Sequence, residues 1–145
     1  MILRPATQDD TDRLFEIHRE ALKYYVELTW GWDEKWQIDH FRENFDPMTR
    51  HVISIENDDI GFVDIEVKAD FIDVKNIEIE PNSQGRGIGT EVIRRVVAVA
   101  RYRGLPIRLQ VLKVNPRARS LYVRLGFVEV GENDAHILME AVHHL

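Results

Sequence analysis

The sequence predicts one α/β (α+β) domain over residues 1–145, built around a central mixed, mostly antiparallel sheet of about seven strands with four helices, in the order βααβββαβαββ. Three observations carry that expectation. A length of 145 residues suits a single compact domain with a sizeable core. Apolar residues alternate along some segments and recur at helical spacing along others. Glycine, proline and Asn-Asp clusters fall where one pattern gives way to the next, and no repeat, low-complexity stretch or linker interrupts them.

The elements follow in order. Ile2–Ala6 reads as a strand, and Thr7 with Asp10 three positions on resembles a capping box that opens a helix, Asp replacing the usual Glu. Leu14, Ile17, Ala21, Leu22 and Tyr25 share one face of that helix, which should be core. Asp33–Phe45 is a second helix, introduced by Thr29-Trp30-Gly31-Trp32 and ended near Pro47. His51–Glu56 and Ile60–Lys68 are strands joined by a hairpin turn at Asn57-Asp58-Asp59. In Phe71–Glu80 the apolar positions are even at first (Ile72, Val74) and odd later (Ile77, Ile79). Such a phase change near Lys75-Asn76 implies a β-bulge, either beside an active site or as an ordinary edge distortion. A long helix follows over Gly87–Arg103, stopped by Gly104 and Pro106. Then come a strand at Ile107–Val114, a short helix at Arg117–Leu125, and a strand pair at Phe127–Glu132 and His136–Ala141.

Composition narrows the function classes. With 44% hydrophobic and 30% charged residues the chain is not disordered, and its longest apolar run, Val96–Ala100, is too short to cross a bilayer. Without cysteine there is no disulfide, thiolate metal site or cysteine nucleophile; the six histidines lack metal-ligand spacing, and His143-His144 reads as a solvated tail. Nothing before Arg4 resembles a signal peptide, so a cytoplasmic location with no membrane partner is expected. The net charge of −6 is unevenly spread. Residues 84–124 hold ten basic side chains against the single acid Glu91, a net of +9, which leaves −15 for the rest. Either the basic segment faces an anion, or its helices carry solvated arginines. The acidic total and the lack of a nucleic-acid-binding motif argue against nucleic acid.

Inside the basic segment, a strand ending in Ile77-Glu78-Ile79-Glu80-Pro81 leads through Asn82-Ser83 into Gln84-Gly85-Arg86-Gly87-Ile88-Gly89 and a long helix. Strand, glycine turn and helix N-terminus together make an anion site: unpaired amides converge where the helix dipole is positive, and missing Cβ atoms permit close approach. A dinucleotide fingerprint needs Gly or Ala where Thr90 stands and an acid about 20 residues on, yet no acid lies between Glu91 and Glu129. A P-loop needs a Gly-Lys-Ser/Thr ending, which is absent. The pattern Gln84-x-x-Gly87-x-Gly89 instead resembles the pyrophosphate-binding motif of the GNAT superfamily of acyl-CoA-dependent N-acetyltransferases. Leu109-Gln110-Val111 followed by Asn115-x-x-Ala118-x-x-Leu121-Tyr122-x-x-Leu125-Gly126-Phe127 resembles that family's second common motif, and the element order matches its fold along essentially the whole chain.

The resemblance implies acetyl-CoA as co-substrate, with no metal. It implies that Gln84, Gly85, Arg86, Gly87, Ile88, Gly89 and Thr90 cradle the pyrophosphate, that Ile77 and Ile79 pair through their backbone with the pantetheine arm, and that Asn115, Ala118 and Tyr122 line its other end. Asn115 would also N-cap the helix opened by Pro116. Which arginine meets the 3′-phosphate is left open. Tyr122 matches the family's frequent general acid, although Ala118, Leu121, Tyr122 and Leu125 also share a helix face suited to core packing. Where some relatives carry a glutamate base, this chain has Gln110, which cannot accept the amine proton; Glu78 and Asp73 are the candidate bases, with Glu80 also near the turn, acting directly or through water unless the amine binds already neutral. The acceptor pocket is expected around Tyr25, Trp30, Trp32 and Glu34, whose aromatic faces and carboxylate suit a cationic amine; packing and capping would equally account for these residues. Transfer to the primary amine of a small molecule is expected, by direct transfer in a ternary complex. A protein or peptide amine and a catalytically idle acyl-CoA-binding module are the alternatives, and a homodimer is expected by analogy.

Overall fold

Residues Ile2–Pro5 form β1, Thr11–Thr29 α1, Glu34–Glu43 α2, Arg50–Ile55 β2, Asp58–Val67 β3, Ile72–Ile79 β4, Ile88–Arg103 α3, Ile107–Leu112 β5, Pro116–Arg124 α4, Val128–Glu132 β6 and His136–Ala141 β7. The computed structural model describes residues 1–142, so the expected His143-His144 tail lies outside the described residues. Short 3-10 turns at Gln8–Asp10 and Pro81–Ser83 precede α1 and α3. The strands form one mixed seven-stranded sheet in the order β1-β2-β3-β4-β5-β7-β6. β4 pairs in parallel with β5 from Ile72↔Ile107 to Val74↔Leu109, while β1–β2, β2–β3, β5–β7 and β6–β7 are antiparallel. The chain falls into two compact units, Met1–Ile65 with Asn76–Gln84, and Glu66–Lys75 with the chain from Gly85 onward.

In the first unit the Thr7–Asp10 capping box is present but opens the 3-10 turn, after which α1 begins at Thr11. Leu14, Phe15 and Ile17 of α1 pack with Ala6, Phe41, Val52 and Phe62, while Ala21, Leu22 and Tyr25 are half-buried. Asp33 starts α2 by accepting a hydrogen bond from the Trp36 amide at 3.0 Å. The β2–β3 hairpin turns one residue earlier than the Asn-Asp-Asp cluster indicates. Glu56 and Asn57 both adopt positive φ (50° and 70°), the geometry of a two-residue type I′ turn, so Asp58 and Asp59 already belong to β3.

β4 corrects a second expectation. Its buried positions are Ile72, Val74 and then Glu78, whereas Ile77 and Ile79 are half-buried. Burial after Val74 therefore falls on the polar Glu78 rather than on Ile77 and Ile79, with Lys75 and Asn76 exposed between them. Gly61 of β3 explains how closely the backbone at Glu78 is approached: a Cβ there would stand 2.4 Å from the Glu78 carbonyl oxygen.

In the second unit Ile107, Leu109 and Val111 of β5 are buried in alternation, and Val92, Ile93, Val96 and Ala100 form the inner face of α3. Gly104 ends α3 at φ 67°, a left-handed C-cap.

Candidate active site

The glycine turn is built from both ends. Upstream, Glu80 accepts from Arg13 at 2.7 Å and from Ser83 Oγ at 3.0 Å, fixing the 3-10 turn. Gln84 turns back, its Nε2 donating to the Ile79 carbonyl at 2.8 Å, so two residues assigned to the cofactor are joined directly. Gly85 and Gly87 then take φ of 76° and 77°, the left-handed region that other residues enter only at a cost of roughly 1–2 kcal/mol. Gly87 is the N-cap of α3 and offers no side-chain cap; the first helical bond runs from Glu91 N to Gly87 O. The amides of Ile88, Gly89 and Thr90 consequently lack an acceptor one turn back. A Cβ on Gly87 would meet nothing within 4 Å, so conformation alone demands glycine there.

Arg117 is a residue the sequence did not single out. Its Nη2 would stand 3.5 Å from a Cβ on Gly85, which places a guanidinium against the turn. Arg86 is exposed and makes no ion pair among the described residues, whereas Arg95, Arg108, Lys113 and Arg119 are partnered by Glu91, Glu140, Glu132 and Glu129. Part of the +9 excess is therefore neutralised locally. The cradle fits a polyanion of the coenzyme A type: uncapped amides, glycines at left-handed φ, and adjacent guanidinium groups.

Asn115 N-caps α4, its Oδ1 accepting from the Ala118 amide at 3.2 Å, with Pro116 at the first helical position. About two turns on, Tyr122 is buried, its ring edge-on to Phe127 at 5.6 Å and its carbonyl accepting from the Phe127 amide. Burial pushes the phenol well above its ordinary value, so it keeps its proton throughout the physiological range.

The two candidate bases differ sharply. Asp73 is half-buried opposite Arg108 in the β4–β5 register. Glu78 is 4% exposed, and its Oε1 lies 2.7 Å from His18 Nδ1 on α1. The other ring nitrogen of His18 is 3.2 Å from Oε1 of the buried Gln37 on α2. Phe15, Trp32 and Phe41 surround the ring at centroid distances of 5.9, 5.8 and 5.2 Å. Burial pulls the His18 pKa down, but the charge and hydrogen bond of Glu78 and the bond to Gln37 outweigh it, and the net shift is upward. In the same unit Arg50 donates to both oxygens of Asp64 at 2.7 and 2.8 Å, with its guanidinium between the rings of Phe41 and Phe62.

Of the acceptor-pocket residues, the structure joins Trp32 and Glu34: the indole Nε1 donates to Glu34 at 3.0 Å, and Arg19 holds the same carboxylate at 3.0 Å. Arg19 and then Trp32 hold the Glu34 carboxyl below its usual range. Tyr25 packs edge-on to Tyr24, and Trp30 is exposed. Among the described residues no group of three or more His, Asp or Glu could hold a metal ion, and no helix is long and apolar enough to cross a membrane.

Strand, left-handed glycine turn and uncapped helix N-terminus define an α/β protein with the backbone geometry of an anion cradle. More particularly, the acetyltransferase (GNAT) family profile matches residues 11–127, and the chain belongs to that family. An N-acetyltransferase of Methanocaldococcus jannaschii is 30% identical over 141 residues, covering 88% of this chain and 60% of its own length. Streptothricin acetyltransferase of Streptomyces lavendulae is 31% identical over 96 residues, 64% of this chain and 51% of that protein. The chain thus spans only half to three-fifths of these relatives. The PaiA N-acetyltransferase of Thermoplasma acidophilum, in complex with coenzyme A, superposes with a TM-score of 0.80 at 18% identity, over 98% of both chains. This likeness speaks for the fold.

Proposed function

We propose that residues 1–145 act as one acetyl-CoA-dependent N-acetyltransferase domain that acetylates the primary amine of a small molecule by direct transfer in a ternary complex. The observation that carries the reading is the turn itself, with Gly85 and Gly87 at left-handed φ before an uncapped helix in a chain of this family. Acetyl-CoA, when bound, supplies a thioester carbonyl and a thiol leaving group. The amides of Ile88, Gly89 and Thr90 bind the pyrophosphate, with Gln84, Arg86 and Arg117 beside it, and Ile77 and Ile79 bind the pantetheine arm through their backbone. Tyr122 holds the proton for the departing thiolate, since burial keeps the phenol protonated. Glu78 takes the proton of the acceptor amine, being the buried carboxylate of the two candidates. Trp32 and Glu34 face a cationic acceptor. The relative named for streptothricin supports a small-molecule acceptor. A cytoplasmic, homodimeric enzyme completes the proposal, on family analogy.

Calorimetric titration with acetyl-CoA, followed by a free-thiol assay against a panel of amines and peptides, tests the reading. Binding and turnover of small amines are expected. No acetyl-CoA binding overturns it, turnover of peptides alone redirects it to a polypeptide acceptor, and binding without any acceptor reduces the chain to an idle acyl-CoA module.

A further inference from the structure

We propose that the proton of the acceptor ammonium is taken up by His18 and Glu78 acting as one unit, with His18 as a positioning residue and Gln37 serving both charge states of its ring. The inference rests on the acetyltransferase reading and defines the acceptor as a cationic primary amine.

Three features of the cluster lead there. Glu78 is buried, and only its Oε1 is hydrogen-bonded; Oε2 makes no hydrogen bond among the described residues. The buried unpartnered side-chain atoms among the described residues are Thr11 Oγ1 and Arg50 Nη1, not Glu78 Oε2, so this oxygen keeps contact with solvent and is open to a ligand ammonium. His18 meets an oxygen at each ring nitrogen, so as imidazolium it donates both to Glu78 and to Gln37 Oε1. As neutral imidazole it still donates from Nδ1 to Glu78, and Gln37, turned half a revolution about its last bond, presents its amide NH2 to the Nε2 lone pair. The ring therefore remains fully hydrogen-bonded before and after it titrates, which a carboxylate or a hydrocarbon at position 37 would prevent.

The charges around the ring come from three elements. Glu78 on β4 raises its pKa, and Arg50 on β2 lowers it, with Asp64 of β3 neutralising Arg50. From α2 come only the uncharged Gln37 and Phe41, and Arg19 of α1 is engaged with Glu34.

In the working form His18 is neutral and Glu78 ionised. The acceptor R–NH3⁺ passes one proton to the pair through Oε2 and is left with a lone pair. Its nitrogen bonds to the acetyl carbon as the C–S bond breaks, the thiolate takes the Tyr122 proton, and the phenolate takes the surplus proton of the new amide nitrogen. The pair then releases its proton to water. Turnover thus requires a deprotonated pair, and kcat/KM rises with pH through the His18 titration, above its ordinary value of about 6.5, rather than through the carboxylate range.

The experiment compares pH profiles of wild type, His18→Asn, Gln37→Glu and Glu78→Gln on the best amine of the panel at saturating acetyl-CoA. The ratio of variant to wild type cancels the titration of the amine itself. His18→Asn should lower kcat/KM at least tenfold at pH 8 and move the acid limb down by more than one pH unit. Gln37→Glu, which fixes the imidazolium, should move the limb up. Acetyl-CoA affinity should stay within twofold in both. A purely structural role would scale the profile without moving the limb, and an unmoved limb in both variants overturns the proposal while leaving the acetyltransferase reading standing. NMR titration supplies a readout apart from activity: the His18 imidazole should titrate above about 6.5 and fall in Glu78→Gln. Titration at or below that value also overturns it. A wild type that turns over no amine overturns both proposals together.

Discussion

The glycine turn and the His18–Glu78 cluster are both polar regions of one protein, yet they are built in opposite ways. The turn is contiguous: Gln84, Gly85, Gly87 and the first amides of α3 lie within seven residues, and its proposed anion-binding capacity comes from backbone conformation. The cluster is assembled from α1, α2 and β4, with His18 and Glu78 sixty residues apart, and its capacity comes from desolvated side chains holding one another. A contiguous backbone device tolerates side-chain change except where φ is positive. A dispersed side-chain device depends on each partner, because a buried group that loses its partner keeps the whole desolvation penalty.

That contrast can be broken experimentally, starting where the effect is largest. Asp64→Ala leaves the buried Arg50 guanidinium without its two hydrogen bonds, and a loss of roughly 3–5 kcal/mol of unfolding free energy is expected in urea denaturation, enough to threaten the fold. Tyr122→Phe removes the proposed acid while retaining the ring against Phe127; kcat should fall by about a hundredfold or more, with acetyl-CoA affinity unchanged in calorimetry. Gly87→Ala asks a residue with a Cβ to hold φ 77°, at a cost of roughly 1–2 kcal/mol, so acetyl-CoA should bind about tenfold more weakly and α3 should fray at its start by hydrogen exchange. Asn115→Ala deletes the α4 cap and should cost about 1 kcal/mol, read as a lowered Tm.

The smallest effect sharpens the comparison by its sign. His18 has a raised pKa in the fold, so its contribution to stability is fully present below the unfolded value of about 6.5 and is lost as pH rises through the folded value. The Tm difference between wild type and His18→Asn should therefore shrink from pH 5.5 to pH 8.5. A Tm difference that grows with pH would mean that the ring is held neutral.

The same contrast explains what could be read from the chain. The order of strands and helices, the Asp33 and Asn115 caps, the Gly104 stop and the glycine turn follow from neighbours within a few residues, and the structure has them where local chemistry places them. The hairpin turn shifted by one position because Glu56 accepts positive φ beside Asn57, a conformation its residue type does not advertise. In β4, alternation of apolar residues was taken as alternation of burial, and Glu78 defeated that equation.

By itself, then, the sequence determined the α/β architecture and the glycine turn, which depend on residue type and short spacing, while its resemblance to the acetyltransferases implied the candidates Tyr122, Glu78 and Asp73. Only the tertiary structure buried Glu78 while leaving Asp73 half-buried, brought His18 and Gln37 to Glu78, and set Arg117 against Gly85. The physical reason is that burial and pairing are properties of contacts between distant segments. A carboxylate on a strand carries no mark in the sequence of whether water or a histidine will meet it.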